Sequence, residues 1–309
     1  MPEPGVLIRE ISPRLTFQDH LVPTDVKIEL VRRLTEAGVR AFELSSFVRP
    51  DLVPGLADAG EVFAQARRSG LTLGCCVGNT RGLARAIEAG ADTAAFLLSA
   101  DEEFARANTG RSTSDSLAEL ERMAAFADGH GIELATYVIF AWGGPTGPAR
   151  GADDLGLLAR RLLDIGVDRW ILADSAGYAA PPQIREVVSA ALAHVPADNL
   201  TVQIHDDRGM GLAALLPLVE LGVRRIDTAL AGSGGHPAVP GGRGGGLCTE
   251  DAVQLLELSG VTTGIDLPRL IGTANWLVGE IGVRGRGFVR HTGPVPRAGE
   301  SAAPLSFTW

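Results

Sequence analysis

Helix-to-strand turns of one pattern recur along this chain: Glu36-Ala37-Gly38, Glu88-Ala89-Gly90, Asp164-Ile165-Gly166 and Glu220-Leu221-Gly222. A glycine directly after a helical segment ends the helix in a left-handed residue, and each of these turns passes straight into an apolar run of strand length. Around them, apolar runs alternate with segments of helical period: 6–11 then 24–37, 39–44 then 56–68, 71–77 then 81–88, and 94–98 then 116–128. The second half keeps step, with 133–140 then 153–163, 169–172 then 182–192, 200–204 then 210–221, and 225–228 then 249–258. Such alternation predicts parallel βα units. Eight units in about 260 residues predict one (β/α)8 TIM barrel over 1–283. A doubly wound open sheet fits less well, because it needs fewer units and a glycine-rich phosphate loop after its first strand. The segment 284–309, with its Arg, Gly and Pro content, follows the eighth unit as a lid, an oligomer arm or a partly disordered tail.

The strand-to-helix loops carry the polar and glycine-rich residues, and a barrel's active site lies at that end of its strands. Of 309 residues, 45% are hydrophobic and 21% charged, enough apolar material for one large buried core. A net charge of −9 argues against binding nucleic acid through its phosphates. No basic segment followed by an apolar stretch opens the chain, and no run approaches the roughly 18 apolar residues of a membrane span, so the expectation is a soluble, cytoplasmic protein. Cys75, Cys76 and Cys248 are too few for a disulfide framework and read as buried, reduced thiols.

After the first strand comes Ser12-Pro13-Arg14-Leu15-Thr16-Phe17-Gln18. It resembles the Pro-Arg-Asp-Gly-Leu-Gln signature of hydroxymethylglutaryl-CoA lyases and their relatives in the barrel metallolyase superfamily. The stretch Phe42-Glu43-Leu44-Ser45-Ser46-Phe47-Val48-Arg49-Pro50, with Val53-Pro54 and Ala57-Asp58 behind it, is similar to that family's Glu-Thr-Thr-Ser-Phe-Val-Ser-Pro segment. Asp174-Ser175-Ala176-Gly177 resembles its Gly-Asp-Thr-x-Gly loop, and Ala231–Pro237 with Leu247–Asp251 flank its glycine-rich active-site loop. The resemblance spans roughly Leu7 to Trp276. It implies a cation held by an aspartate, two histidines and an asparagine, and the matching positions here read Leu15, Gln203, His205 and Gly246. An isobutyl group offers no oxygen to a divalent ion, so the sequence leads us to expect no metal and no other cofactor.

The resemblance assigns Arg14 to the enolate oxygen, a role a guanidinium is suited to fill; the alternative is an internal ion pair with Glu43. His205, at the end of the seventh strand, with Asp174 expected on the sixth beside it, would form a general base. His236 stands where the family carries a catalytic cysteine and is the candidate second acid or base. Gln18, Glu43, Gln203, Asn108 and Tyr137 are candidate substrate contacts, and Arg243, within the glycine run 241–246, is available to meet an anion. The expectation is a metal-independent carbon–carbon lyase or aldolase working beside a carbonyl through an enolate-like intermediate. Its substrate would be an acyl thioester or a carboxylic acid, and a homo-oligomer is an open option for its assembly. Open alternatives are a cyclase or dehydratase on the same scaffold, a non-catalytic ligand-binding or partner barrel, and a metalloenzyme with ligands relocated to His205, His236 and an acidic residue.

Overall fold

A computed structural model describes residues 5–99, 102–144, 147, 152–235 and 245–296. Eight parallel strands close into a barrel in sequence order, each hydrogen-bonded to the next and the eighth to the first. They are β1 Leu7–Glu10, β2 Ala41–Phe47, β3 Thr72–Val77, β4 Thr93–Ser99, β5 Glu133–Ile139, β6 Trp170–Asp174, β7 Leu200–Ile204 and β8 Arg225–Thr228. The helices between and after them are α1 Ser12–Leu15, α2 Thr24–Glu36, α3 Ala59–Ala66, α4 Thr80–Glu88, α5 Glu102–Thr109, α6 Thr113–Ala127, α7 Ala152–Asp164, α8 Pro181–Leu192, α9 Gly211–Glu220, α10 Thr249–Leu258, α11 Leu267–Ile281 and α12 Val289–Thr292. The TIM barrel read from the alternation is the fold observed. Its turns work as the sequence suggests: Gly38 sits at φ +104, and a Cβ there would meet the Gly264 carbonyl oxygen at 2.5 Å.

Four helices escaped the sequence reading. α1 and α12 are single turns and α5 has eight residues, too short for a periodic stripe to stand out. α11 lies beyond the eighth unit, where Asp266 caps it by accepting from the Arg269 amide (3.1 Å). It closes the helical ring against α2, with the Arg33 guanidinium 4.7 Å from the centre of the Trp276 ring and the Asp266 amide on the Ala37 carbonyl (2.7 Å).

Parallel register makes partnered residues face the same side. Arg9 pairs with Asp227, Asp227 with Gln203, Gln203 with Ala173, Ala173 with Ile139 and Ile139 with Ser99. Tyr137 and Leu97 share that parity, and Tyr137 reaches across to Glu43, which fixes this set as the inward one. Apolar residues of the opposite parity pack under the helices in the main core. A separate apolar cluster inside the barrel includes Cys76, Ala95, Ala135, Ile139, Ile171 and Ala173.

The tail's described part is docked. The Asp251 carboxylate on α10 accepts from the Phe288 and Val289 amides (2.9 and 2.8 Å), and the Arg286 amide donates to the Ala231 carbonyl (2.7 Å). Residues 297–309 lie outside the described residues.

At the top of β1, buried Glu10 ties three segments together. Its Oε1 accepts from the amides of Ser12 (3.0 Å) and Leu230 (2.9 Å), and its Oε2 from the Thr249 hydroxyl (2.6 Å). Glu10→Ala strands two buried amides and leaves the Thr249 hydroxyl only its bond to Thr228 Oγ1 (2.9 Å), so it should lower unfolding free energy by about 3 kcal/mol. Urea denaturation followed by tryptophan fluorescence measures this; a midpoint unchanged from the parent would contradict it.

Candidate active site

Two guanidinium groups and two carboxylates meet inside the barrel. Arg9 grips Asp227 with a fork, Nε to Oδ1 at 2.7 Å and Nη2 to Oδ2 at 2.6 Å, and Nη2 also donates to the Tyr137 hydroxyl (2.9 Å). Tyr137 donates to Glu43 Oε2 (2.7 Å), and Glu43 Oε1 receives Arg14 through Nε (2.6 Å) and Nη2 (2.5 Å). Burial pushes the Glu43 carboxyl up, but Arg14 and Arg9 outweigh it and hold the group below its ordinary range. Burial, reinforced by the Glu43 carboxylate, raises the Tyr137 phenol far up, so it stays protonated and able to donate. Tyr137 is 1% exposed. Its hydroxyl, shared among Arg9, Glu43 and Asp227, braces the site from beneath.

Arg14 sits on α1, whose first turn is set by Pro13 and anchored by Glu10 on the Ser12 amide. This single turn carries the guanidinium over the barrel mouth. Gln18 stands one turn further, its Oε1 3.5 Å from Arg14 Nη1 and its Nε2 donating to the Gly235 carbonyl (3.3 Å). Gln203 faces inward on β7, and His205 follows on the same side, 3% exposed. Asp174 is placed differently from expectation. Since Ala173 faces inward, alternation turns Asp174 the other way, and its carboxylate accepts from the Tyr178 (2.8 Å) and Ala179 (3.0 Å) amides of its own loop. Burial, working against those amides, raises the carboxyl to about 6. A backbone bond joins the two segments, the His205 amide donating to the Asp174 carbonyl (3.3 Å).

Both ends of the glycine-rich loop are pinned at the mouth. Gly245–Cys248 runs over β7 and β8, with Asp206 N on Gly245 O (3.0 Å), Leu247 N on Ile204 O (2.9 Å) and Ala229 N on Leu247 O (2.8 Å). Between the two ends stands Leu15, clustered with Ile11 and Ala229. A Cβ on Gly234 would lie 2.5 Å from Leu15 Cγ, and one on Gly246 would lie 3.4 Å from its Cδ2. His236 and Arg243 fall outside the described residues, as does the side chain of Asn108, whose backbone lies in α5.

Sequence reasoning missed Arg9, Asp227, Glu10 and Glu250. Period-two alternation through 7–10 and 225–228 was a usable signal, for it puts a charge of opposite sign on the inward face of adjacent strands β1 and β8. Glu250, at the start of α10, is fully buried and accepts from the Ala231 amide (3.0 Å), and Cys248 lies beside it. All three thiols are buried and free, each raised by burial.

A closed barrel with an anchored guanidinium, an imidazole and a pinned glycine loop at the C-terminal rim has the layout of a (β/α)8 enzyme. Comparison with known proteins narrows this: the HMGL-like family model matches residues 16–277, and the chain belongs to that family. The mitochondrial hydroxymethylglutaryl-CoA lyase of Arabidopsis thaliana is 34% identical over 280 residues, 90% of this chain and 60% of that longer relative. The (R)-citramalyl-CoA lyase of Chloroflexus aurantiacus is 32% identical over 314 residues, covering 97% of this chain and 98% of the relative. A solved HMG-CoA lyase from Acinetobacter baumannii, in complex with coenzyme A and 3-methylmalate, superposes with a TM-score of 0.90 at 32% identity, covering 97% and 98% of the two chains.

These relatives are carbon–carbon lyases of a divalent-metal-dependent family. That membership overturns the expectation, drawn from Leu15, Gln203 and Gly246, of a metal-independent enzyme with no cofactor. The residues at the corresponding positions do not reproduce the family's ligand set. Leu15 is an apolar filler, only His205 offers an imidazole, and no group of three or more His, Cys, Asp or Glu side chains suited to a metal occurs among the described residues.

Burial raises Glu250 from 4.5 to about 7 against the amides of Glu250 itself and Ala231. The folded state then holds the proton more tightly than the unfolded one, so stability is full below pH 4.5 and falls as pH rises through about 7. Glu250→Gln should remove roughly 2–3 kcal/mol of that decline. Comparing unfolding free energies of parent and variant at pH 4.5 and 8 measures it, and equal differences at both pH values would refute it.

Proposed function

We propose that this chain cleaves the C2–C3 bond of a 3-hydroxyacyl thioester, or forms it in the reverse direction, through a thioester enolate. The observation that carries this is the Arg14 guanidinium, held by Glu43 at the barrel mouth and braced from below by Tyr137 and Arg9. A base takes the C3 hydroxyl proton and the C3 oxygen becomes a carbonyl as the C2–C3 bond breaks. The bond pair moves onto C2 and the thioester oxygen. The developing oxyanion meets Arg14, a preorganised donor whose gain appears mainly in the transition state. His205 is our candidate base, with Gln203 to orient the hydroxyl, and the sequence offers His236 for the proton returned to C2. Products are a carbonyl compound and an acyl thioester, in keeping with relatives named as acyl-CoA lyases.

The test is release of the carbonyl product from 3-hydroxyacyl-CoA thioesters by purified protein with a divalent cation supplied. Arg14→Lys replaces a planar fork by a compact ammonium and should lower kcat by about 30- to 1000-fold, the equivalent of about 2–4 kcal/mol. His205→Asn should abolish one limb of the pH–rate profile while leaving KM within a few-fold. Absence of any carbon–carbon cleavage by the parent, or full turnover in Arg14→Lys, would overturn the assignment.

A further inference from the structure

The inner surface of the barrel is divided. From β7 through β8 and β1 to β2 it carries Gln203, Asp227, Arg9 and Glu43, with Arg14 over the top. From β3 to β6 it is different. Beyond the N-terminal rim, where Glu133 pairs with Arg169 (2.9 Å), the inward positions of these four strands carry no charged side chain. Leu97, Ala135, Ile139, Ile171 and Ala173 form most of this side, Tyr137 and Ser99 are its uncharged polar members, and Phe104 and Phe140 close it above. Phe140 is held at φ +58, a left-handed conformation that costs a non-glycine residue about 1 kcal/mol or more. Its ring meets that of Phe104 edge to face at 4.8 Å. Holding a ring in that backbone conformation points to a wall whose shape matters. Leu97, though inward-facing, is only partly buried, so this side opens on space within the barrel.

A substrate cleaved between C2 and C3 carries three features: a thioester oxygen, a C3 hydroxyl and the remaining substituent on C3. Arg14 and the Gln203–His205 edge serve the first two. The third is left facing β4 to β6. There a carboxylate would lose its hydration with no cation among those inward side chains to replace it. The Arg9 guanidinium is committed to Asp227 and Tyr137, and Arg169 to Glu133 at the far rim.

We infer that the C3 substituent is apolar, an alkyl or aryl group lying against Leu97, Ile139 and Phe140, and is not a second carboxylate. This rests on the lyase reading above, and the experiment separates the two. Purified full-length protein, with a divalent cation, is given 3-hydroxy-3-methylglutaryl-CoA or its isobutyl counterpart, 3-hydroxy-3,5-dimethylhexanoyl-CoA, which replaces the distal carboxylate by an isopropyl group. The expected result is a kcat/KM at least about tenfold higher for the isobutyl thioester. Leu97→Arg, which adds a cation where the wall is partly open, should reverse that preference, and Ile139→Ala should shift it toward longer alkyl chains. Equal or faster cleavage of the glutaryl thioester by the parent would overturn the inference while leaving the lyase assignment standing. Should neither be cleaved, the lyase assignment falls and binding decides the rest: competition between the two corresponding non-cleavable thioethers supports an apolar wall if the isobutyl compound binds about tenfold tighter, and refutes it otherwise.

Discussion

Everything at the mouth of this barrel depends on one buried chain of charge: Asp227, Arg9, Tyr137, Glu43 and Arg14 in continuous hydrogen-bonded contact. Two positive and two negative groups make it neutral in sum, which lets it sit in a poorly hydrated interior. Replacing such pairs by apolar residues is often neutral or stabilising, whereas removing one partner costs about 3–5 kcal/mol. Stability alone therefore gives a weak reason for the lattice. Position gives a stronger one, because a guanidinium with two nitrogens fixed on one carboxylate holds its third, Nη1, in a set direction, 3.5 Å from the Gln18 amide oxygen.

A second constraint acts from above. Leu15, adjacent to Arg14 on the same single turn, packs against both ends of the glycine-rich loop, so the residue that fails as a metal ligand still ties α1 to the loop. Glu10 and Glu250 hold the same region from below through the Ser12, Leu230 and Ala231 amides. Arg286 reaches this region as well through its amide, which brings the docked tail into register with the loop base. The charged half of the interior and its apolar half are thus set by strand order, the first built on β7, β8, β1 and β2 and the second on β3 to β6.

The fold was legible because turn chemistry and hydrophobic period agreed at Gly38, Gly90, Gly166 and Gly222, all left-handed in the structure. Arg14 and His205 could be placed at the mouth because residues just past the ends of parallel strands face it, whereas Glu43 and Gln203 lie within β2 and β7 and reach inward by alternation. Asp174 was misplaced because adjacency of two strands was taken as facing; the deciding fact is parity, and Ala173 already occupies the inward direction. The bracing bonds of Tyr137 could not be foreseen because its partners Arg9 and Asp227 are 128 and 90 residues away, beyond any local pattern. The metal expectation failed for another reason: it was drawn from four positions, whereas membership in a metal-dependent family is carried by the whole stretch 16–277.

The central claim is that the buried lattice acts through Arg14. The direct measurement is a double-mutant cycle on cleavage rate between Tyr137→Phe, which removes the hydroxyl under Glu43 and leaves the ring, and Arg14→Lys. If Tyr137 works by holding Glu43 and thereby Arg14, the phenylalanine variant should lose turnover alone but add little once Arg14 is replaced, leaving the double variant within about twofold of Arg14→Lys. Losses that multiply independently would contradict the account.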